Sequence, residues 1–361
     1  VYLREAFHPL AGFLVGWLSF VSIFAGTVAA LGVGFGEALC ALMGWSRELA
    51  VPIGIASIVA SSLLNFRGVR HGAIVNNVTA WFKIVALLAF GVVAPFTGAG
   101  DLANLRPLAR GALDAAPPLA FVLALSPVLF SYLGWNASVF VASEIRDPGR
   151  NVPRSLFVGL AICTGVYLVM NAVYLYALPI AELRQTANAG EGAAAVLFGE
   201  FGGRLVAGFV LVSILGTLNA TVLVGPRIAY AMALDGLFAR GVATVHEGYR
   251  TPGGAIAVQA GVATGLVALL QSFPSALDYT TFAILLATIA DTAALFALRR
   301  SQPERHRPYR AWGFPWVPGL YLVANAGIAV GLAVGRPTEA IYGLLFLAAG
   351  LPVYALLRRA G

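Results

Sequence analysis

Three features of this sequence put groups capable of chemistry inside long apolar stretches. The first is Pro127-Val-Leu-Phe-Ser-Tyr-Leu-Gly-Trp-Asn136. Pro127 removes a backbone hydrogen bond and Gly134 permits non-helical dihedrals. Backbone freed at bilayer depth must be satisfied by protein, water or a ligand. A lone proline would read as a kink. The cluster of Ser131, Tyr132, Trp135 and Asn136 beside it points instead to a discontinuous helix lining a binding site. The second feature is Lys83, the only lysine in the chain. It falls about ten residues, or roughly 15 Å, into its span. An ionised amine there costs at least about 2.5 kcal/mol unless paired or hydrated. Snorkelling is the plainer alternative, but a lysine stem does not comfortably cover half the core, so a functional role is preferred. The third is Asp291, in Ala290-Asp-Thr-Ala. A partner such as an arginine or hydroxyls on a neighbouring helix accounts for it at least as well as a transport role. Ser213, Thr217, Asn219 and Thr221 share one long span, where helix–helix hydrogen bonds are usually worth under about 1 kcal/mol each. Glu37 reads as interfacial.

The elements that carry these groups follow from composition. The chain has 361 residues, 59% hydrophobic and only 11% charged, where a soluble protein carries about 25% charged residues. So few charges cannot cover a soluble surface. Apolar stretches near 20 residues long match a bilayer core of about 30 Å. The expectation is an all-α polytopic membrane protein with about ten transmembrane helices. They are read at about 10–40, 48–66, 73–96, 117–144, 153–179, 203–234, 253–272, 276–298, 314–334 and 338–357. Tyr2–His8 reads as a loop, with no leading span or signal peptide before Pro9, which suits the first position of a helix. Gly12, Gly16, Gly26, Gly32, Gly34 and Gly36 read as helix-packing contacts. The connections 179–203 and 235–251 are each expected to hold a short surface helix, and 299–310 a solvated basic loop.

The rare residues exclude whole classes of function. Cys40 and Cys163 sit in separate apolar segments, which leaves no disulfide framework and no thiolate metal site. His8, His71, His246 and His306 all fall in connections, so haem ligation has no axial residues. No His-Glu-x-x-His helix is present. No cofactor and no metal are expected, and with nucleophile, base and metal constellations absent the chain is not read as an enzyme. The net charge of +7 follows the loops. Of the arginines, 16 fall in one set of connections and 6 in the other. The positive-inside rule makes the first set, and both ends of this chain, cytoplasmic. Nucleic acid is not expected as a partner; the lipid bilayer is.

Several of these segments resemble one family. Phe130-Ser-Tyr-Leu-Gly-Trp-Asn136 followed by Ser143-Glu-Ile-Arg-Asp-Pro-Gly-Arg-Asn-Val-Pro153 is similar to the sixth helix and following loop of amino acid permeases of the amino acid–polyamine–organocation (APC) superfamily. The likeness is greatest to L-type amino acid transporters and their bacterial relatives. Asn65-Phe-Arg-Gly-Val-Arg leading to Lys83 resembles the approach to the fifth helix. Gly216-Thr-Leu-Asn with Arg227-Ile-Ala-Tyr-Ala-Met-Ala-Leu-Asp-Gly236 resembles the eighth. Gln302-Pro-Glu-Arg-His-Arg-Pro-Tyr-Arg and Gly350-Leu-Pro-Val-Tyr354 resemble the loop before the eleventh helix and the twelfth helix. Tyr2-Leu-Arg-Glu-Ala-Phe resembles the end of the second helix.

The resemblance implies a LeuT-type inverted-repeat fold whose first two helices are absent from this sequence. Residues 1–116 would be the rest of the first repeat, 117–300 the second repeat and 301–361 two C-terminal helices. It further implies that the carbonyls of Phe130, Ser131 and Leu133 receive a substrate amino group. Phe130 would gate the pocket, which Tyr132, Gly134, Trp135 and Asn136 complete. Lys83 would stand where sodium binds in sodium-coupled relatives, with Thr217 as its hydroxyl partner. Leu133 departs from the small or acidic residue usual at its position. The cysteine that joins animal members to a heavy-chain subunit has no counterpart, so no such subunit is expected. The implied activity is secondary transport of an amino acid, neutral in first place, across the cell membrane. A permease for cationic amino acids, polyamines or other organic cations is the near alternative. A non-transporting membrane scaffold or remnant is the alternative of another class.

Overall fold

The computed structural model describes residues 2–105, 117–135, 145–186, 188–307 and 309–360. The described residues form helices and turns, with no strand among them. A single turn α1 (Tyr2–Ala6) precedes the long α2 (Pro9–Met43). There follow α3 (Ala50–Phe66), α4 (Val69–Val93), α5 (Pro118–Ser131), α6 (Pro148–Ala177) and the single turn α7 (Ile180–Leu183). The order continues with α8 (Ala189–Val224), α9 (Pro226–Leu234), α10 (Gly253–Leu270), α11 (Phe273–Ser301), α12 (Trp316–Gly335) and α13 (Pro337–Ala360). Among the described residues, 9 stretches are long and apolar enough to cross a bilayer, α8 and α9 together making one of them. The protein is an all-α polytopic membrane protein.

Local chemistry sets several boundaries. Pro9 starts α2 as expected, and His8 Nδ1 accepts the Leu10 N–H at 3.2 Å. Within α2 the segment Ser19–Phe24 is π-helical, a bulge the apolar pattern does not reveal. Gly44, at φ +68°, closes the helix: its N–H bonds to Ala41 O and that of Trp45 to Cys40 O. This arrangement satisfies the last carbonyls. Tyr2–His8 is not the loop expected from its polarity. Its first residues form α1, which packs on α2 and α11. The stretch read as a span over 203–234 begins earlier, at Ala189. There Asn188 Oδ1 caps the N–H groups of Gly190 and Glu191. A kink at Gly199 (φ +76°) separates this first part, the expected surface helix, from the long apolar part. The second surface helix is a short 3₁₀ turn, Arg240–Ala243.

The core is built around α2, whose apolar window is 61% buried, against 6% for α4 and 11% for α6. A helix apolar on every side belongs at the centre of a bundle, and α3, α8, α10 and α11 pack around this one. The glycines on α2 permit that crowding. A Cβ on Gly36 would lie 2.0 Å from Ala50 O, and one on Gly32 2.7 Å from Ile58.

Candidate functional site

Helix α5 ends early and with purpose. Pro127 sits inside it, Ser131 is its last helical residue, and Gly134 adopts φ +100°. The N–H of Tyr132 reaches Val128 O at 3.3 Å and that of Leu133 reaches Phe130 O at 3.0 Å, after which the described backbone leaves the helix. The span expected over 117–144 is therefore helical only over Pro118–Ser131 among the described residues; Asn136 and the remainder through residue 144 lie outside them. Phe130 packs against the main core cluster and meets Phe273 of α11 edge-on, with ring centroids 6.2 Å apart. Trp135 is half exposed.

Two residues that the sequence did not single out hold this break in place. Tyr167 of α6 donates its hydroxyl to Ser131 O at 2.7 Å. Tyr132 and Thr164 share a hydrogen bond of 3.0 Å, and the Tyr132 and Tyr167 rings meet edge-on at 5.1 Å. Thr164 and Tyr167 lie three residues apart, on one face of α6. Of the three carbonyls expected to receive an amino group, that of Phe130 already accepts the Leu133 N–H and that of Ser131 the Tyr167 hydroxyl. Each carbonyl keeps a second lone pair for a ligand.

Lys83 lies half-buried on α4. Its Nζ donates to Thr217 Oγ1 of α8 at 2.6 Å, and Thr217 in turn donates to Ser213 O at 3.0 Å. Register between the two helices is set on either side of this bond. A Cβ on Gly216 would meet Thr79 Oγ1 at 2.4 Å, so the backbones approach closely one turn from Lys83. Further along, Asn219 donates to Gly72 O at 2.8 Å and accepts from buried Asn65 of α3 at 2.8 Å. No hydrogen bond among the described residues joins Lys83 or Thr217 to Phe130–Trp135, but Phe130 and Leu218 pack in the same core cluster.

Asp291 and Glu37 differ in how far they are satisfied. Asp291 lies beside Tyr2 of α1, and its Oδ1 is buried with no hydrogen-bond partner among the described residues. Glu37 Oε1 accepts the Phe273 N–H at 3.3 Å, a carboxylate at the start of a helix, where the dipole favours it. Glu37, Cys40, Glu191, Ile214 and Phe273 line a cavity of about 590 Å³, within the size range of small-molecule sites. No group of three His, Cys, Asp or Glu among the described residues could hold a metal ion.

The chain is similar along its length to known proteins. Residues 1–351 match the amino acid permease family. The serine/threonine exchanger SteT of Bacillus subtilis is 29% identical over 98% of this chain and 80% of its own length. The human b(0,+)-type amino acid transporter 1 is 27% identical over 98% of this chain and 73% of its own. The branched-chain amino acid permease BcaP of Bacillus subtilis is 25% identical over 96% and 72%. These relatives are transporters and permeases. With its apolar helices, its interrupted α5 and a match along nearly its whole length, this chain belongs to the amino acid permease family.

Proposed function

We propose that the protein is a secondary active amino acid transporter, for neutral amino acids in first place, working by alternating access in the cell membrane. The observation that carries this reading is the interruption of α5 at Ser131–Gly134, inside an otherwise apolar segment. Such a break offers backbone carbonyls to a ligand where no water competes. In this reading α2 to α13 correspond to the third to twelfth helices of a LeuT-type fold with ten transmembrane helices. Residues 1–116, 117–300 and 301–361 form its three parts, and both ends of the chain face the cytoplasm. The substrate ammonium bonds to free lone pairs at Phe130, Ser131 and Leu133. The Phe130 ring closes over it, and Gly134, Trp135, Tyr132 and Asn136 shape the pocket. Lys83, through Thr217, is the coupling group and makes sodium unnecessary. The protein acts without a heavy-chain subunit.

Reconstituted protein given a panel of amino acids should take up or exchange neutral ones without sodium. Glu37 and Glu191 beside the cavity favour a second reading, in which cationic amino acids or other organic cations are carried; preference for these in the same panel would select it. No flux of any of them would leave a membrane scaffold. Gly134→Val should abolish substrate binding while leaving folded protein in the membrane. A Cβ at this position meets nothing within 4 Å, so the damage comes through backbone strain at positive φ and a displaced break. Unchanged affinity in this variant would remove the site assignment.

A further inference from the structure

Asp278 of α11 is only 9% exposed, and the transport reading leaves it without a task. Both of its oxygens have partners. Oδ1 accepts the hydroxyl of Ser126 at 2.6 Å, and Ser126, on α5, is fully buried. Oδ2 lies 3.1 Å from Nε of Arg336, at the junction of α12 and α13. One carboxylate thus ties three elements together. Packing reinforces the tie: a Cβ on Gly331 or Gly335 of α12 would come within 2.3 Å of Val122 or 2.7 Å of Leu123 on α5.

The place of this tie gives it a consequence. Ser126 precedes Pro127 directly and lies four residues before Phe130, so both side chains share one face of α5. Phe130 meets Phe273, which lies five residues before Asp278 on α11. The polar and aromatic contacts together fix where α5 crosses α11. Phe273 is also part of the wall of the cavity that holds Glu37 and Cys40. Swinging α5 away from α11 would open that cavity towards the helix break. It would also strip a buried carboxylate of a hydrogen-bond donor, which low-dielectric surroundings make unfavourable.

We infer that Asp278, with Ser126 and Arg336, is a latch that holds the outer half of the broken helix closed over the substrate site. Asp278 is a positioning residue: it acts through α5 and does not touch substrate. The inference rests on the transport reading and adds a gate to it.

The native thiols supply the test. Cys40 is 2% exposed and lines the cavity, whereas Cys163 is exposed. In reconstituted Cys163→Ser protein, the rate at which a membrane-impermeant maleimide added outside labels Cys40, without substrate, reads the width of the outer path. Asp278→Asn and Arg336→Gln should each raise that rate about fivefold, the lower end of ordinary conformational coupling. The double variant should match either single one, because both break the same tie. Arg336→Lys, which keeps the charge, should stay near the parent rate, a rescue that a general loss of packing would not give. Arg336→Gln alters an exposed side chain and so preserves the test if Asp278→Asn does not fold. Unchanged labelling, or additive effects in the double variant, would overturn the latch. Labelling needs no flux, so a parent protein that labels as expected but moves no amino acid would overturn the transport reading alone.

Discussion

Lys83 and Asp278 are both ionisable side chains inside apolar spans, and their surroundings are opposite. Asp278 has an ion pair and a buried hydroxyl, one partner for each oxygen. Lys83 has a single neutral partner, Thr217, among the described residues, although an ammonium carries three donors. A charge whose two oxygens are both engaged serves as an anchor, and disturbing it destabilises. A charge with spare donors at membrane depth has free energy to gain from whatever next approaches it. On the proposed transport reading, the difference suits the aspartate to holding and the lysine to working. The two sites sit accordingly, Asp278 where α5 is wedged between α11 and α12, and Lys83 on α4, whose apolar window is 6% buried.

The most severe test of this contrast is Lys83→Ala. Transport should fall about a hundredfold, the equivalent of roughly 2.7 kcal/mol of barrier, while thermal stability measured in detergent stays near that of the parent. Full sodium-independent transport by this variant would end the assignment. Thr217→Val comes next. It removes the one partner found among the described residues and leaves the ammonium to be hydrated or to reach a carbonyl, so transport should slow by about tenfold, near the lower end of the range for one hydrogen bond to a charged group. A loss equal to that of Lys83→Ala would mean that the hydroxyl itself is the working group.

Asp278→Ala should show the reverse profile. It leaves the Arg336 guanidinium and the Ser126 hydroxyl without their acceptor, and breaking a buried pair costs up to about 3–5 kcal/mol. Arg336 is 53% exposed at its side chain, so solvent screening brings the expected cost down to about 1–2 kcal/mol. A lowered melting temperature, together with a loss of turnover per folded molecule much smaller than that of Lys83→Ala, is the expected pair of readings. Intact stability with abolished turnover would turn the comparison on its head.

How far the sequence revealed all this depended on how rare each signal is. A single lysine in a chain 59% hydrophobic announces itself, and Pro127 with Gly134 marks the break at which α5 ends. Thr217 was reachable only through family resemblance, because hydroxyls on apolar helices usually bond back to their own carbonyls, as Thr221 and Thr280 do. Tyr167 and Thr164 were hidden for the same reason: their task depends on α6 lying beside the break, which no local pattern encodes. Asp278 falls close to the start of its span, where a charge reads as interfacial, and only the fold shows Ser126 and Arg336 converging on it. The π-helical segment in α2 left no trace in an apolar run with no change of period. Helix α1 was missed by the residue pattern, though resemblance to a helix end pointed to it, because a single turn is stabilised by its docking on α2 and α11 and hardly at all by its own propensity.

The smallest effect is expected where a charge pair lies in water. Arg305 pairs with Glu5 near the α1 end of the molecule, and Arg305 also donates to Gln302 Oε1 at 2.9 Å. The Arg305 guanidinium holds the Glu5 carboxyl below the usual carboxylate range. A carboxylate with a lowered folded-state pKa contributes stability above its ordinary pKa and loses it as pH falls through the lowered value. Any contribution from this pair is thus present at neutral pH and vanishes in acid. Exposed pairs of this kind contribute little, because water and salt screen them and two long side chains must be ordered. Arg305→Gln should therefore shift the melting temperature by no more than about 1 °C at neutral pH, with the two proteins coinciding below the carboxylate range, and transport should be unchanged. A shift of several degrees, or a loss of flux, would place this pair with Asp278 as an anchor, and exposure would no longer separate charges that hold the fold from charges that merely decorate it.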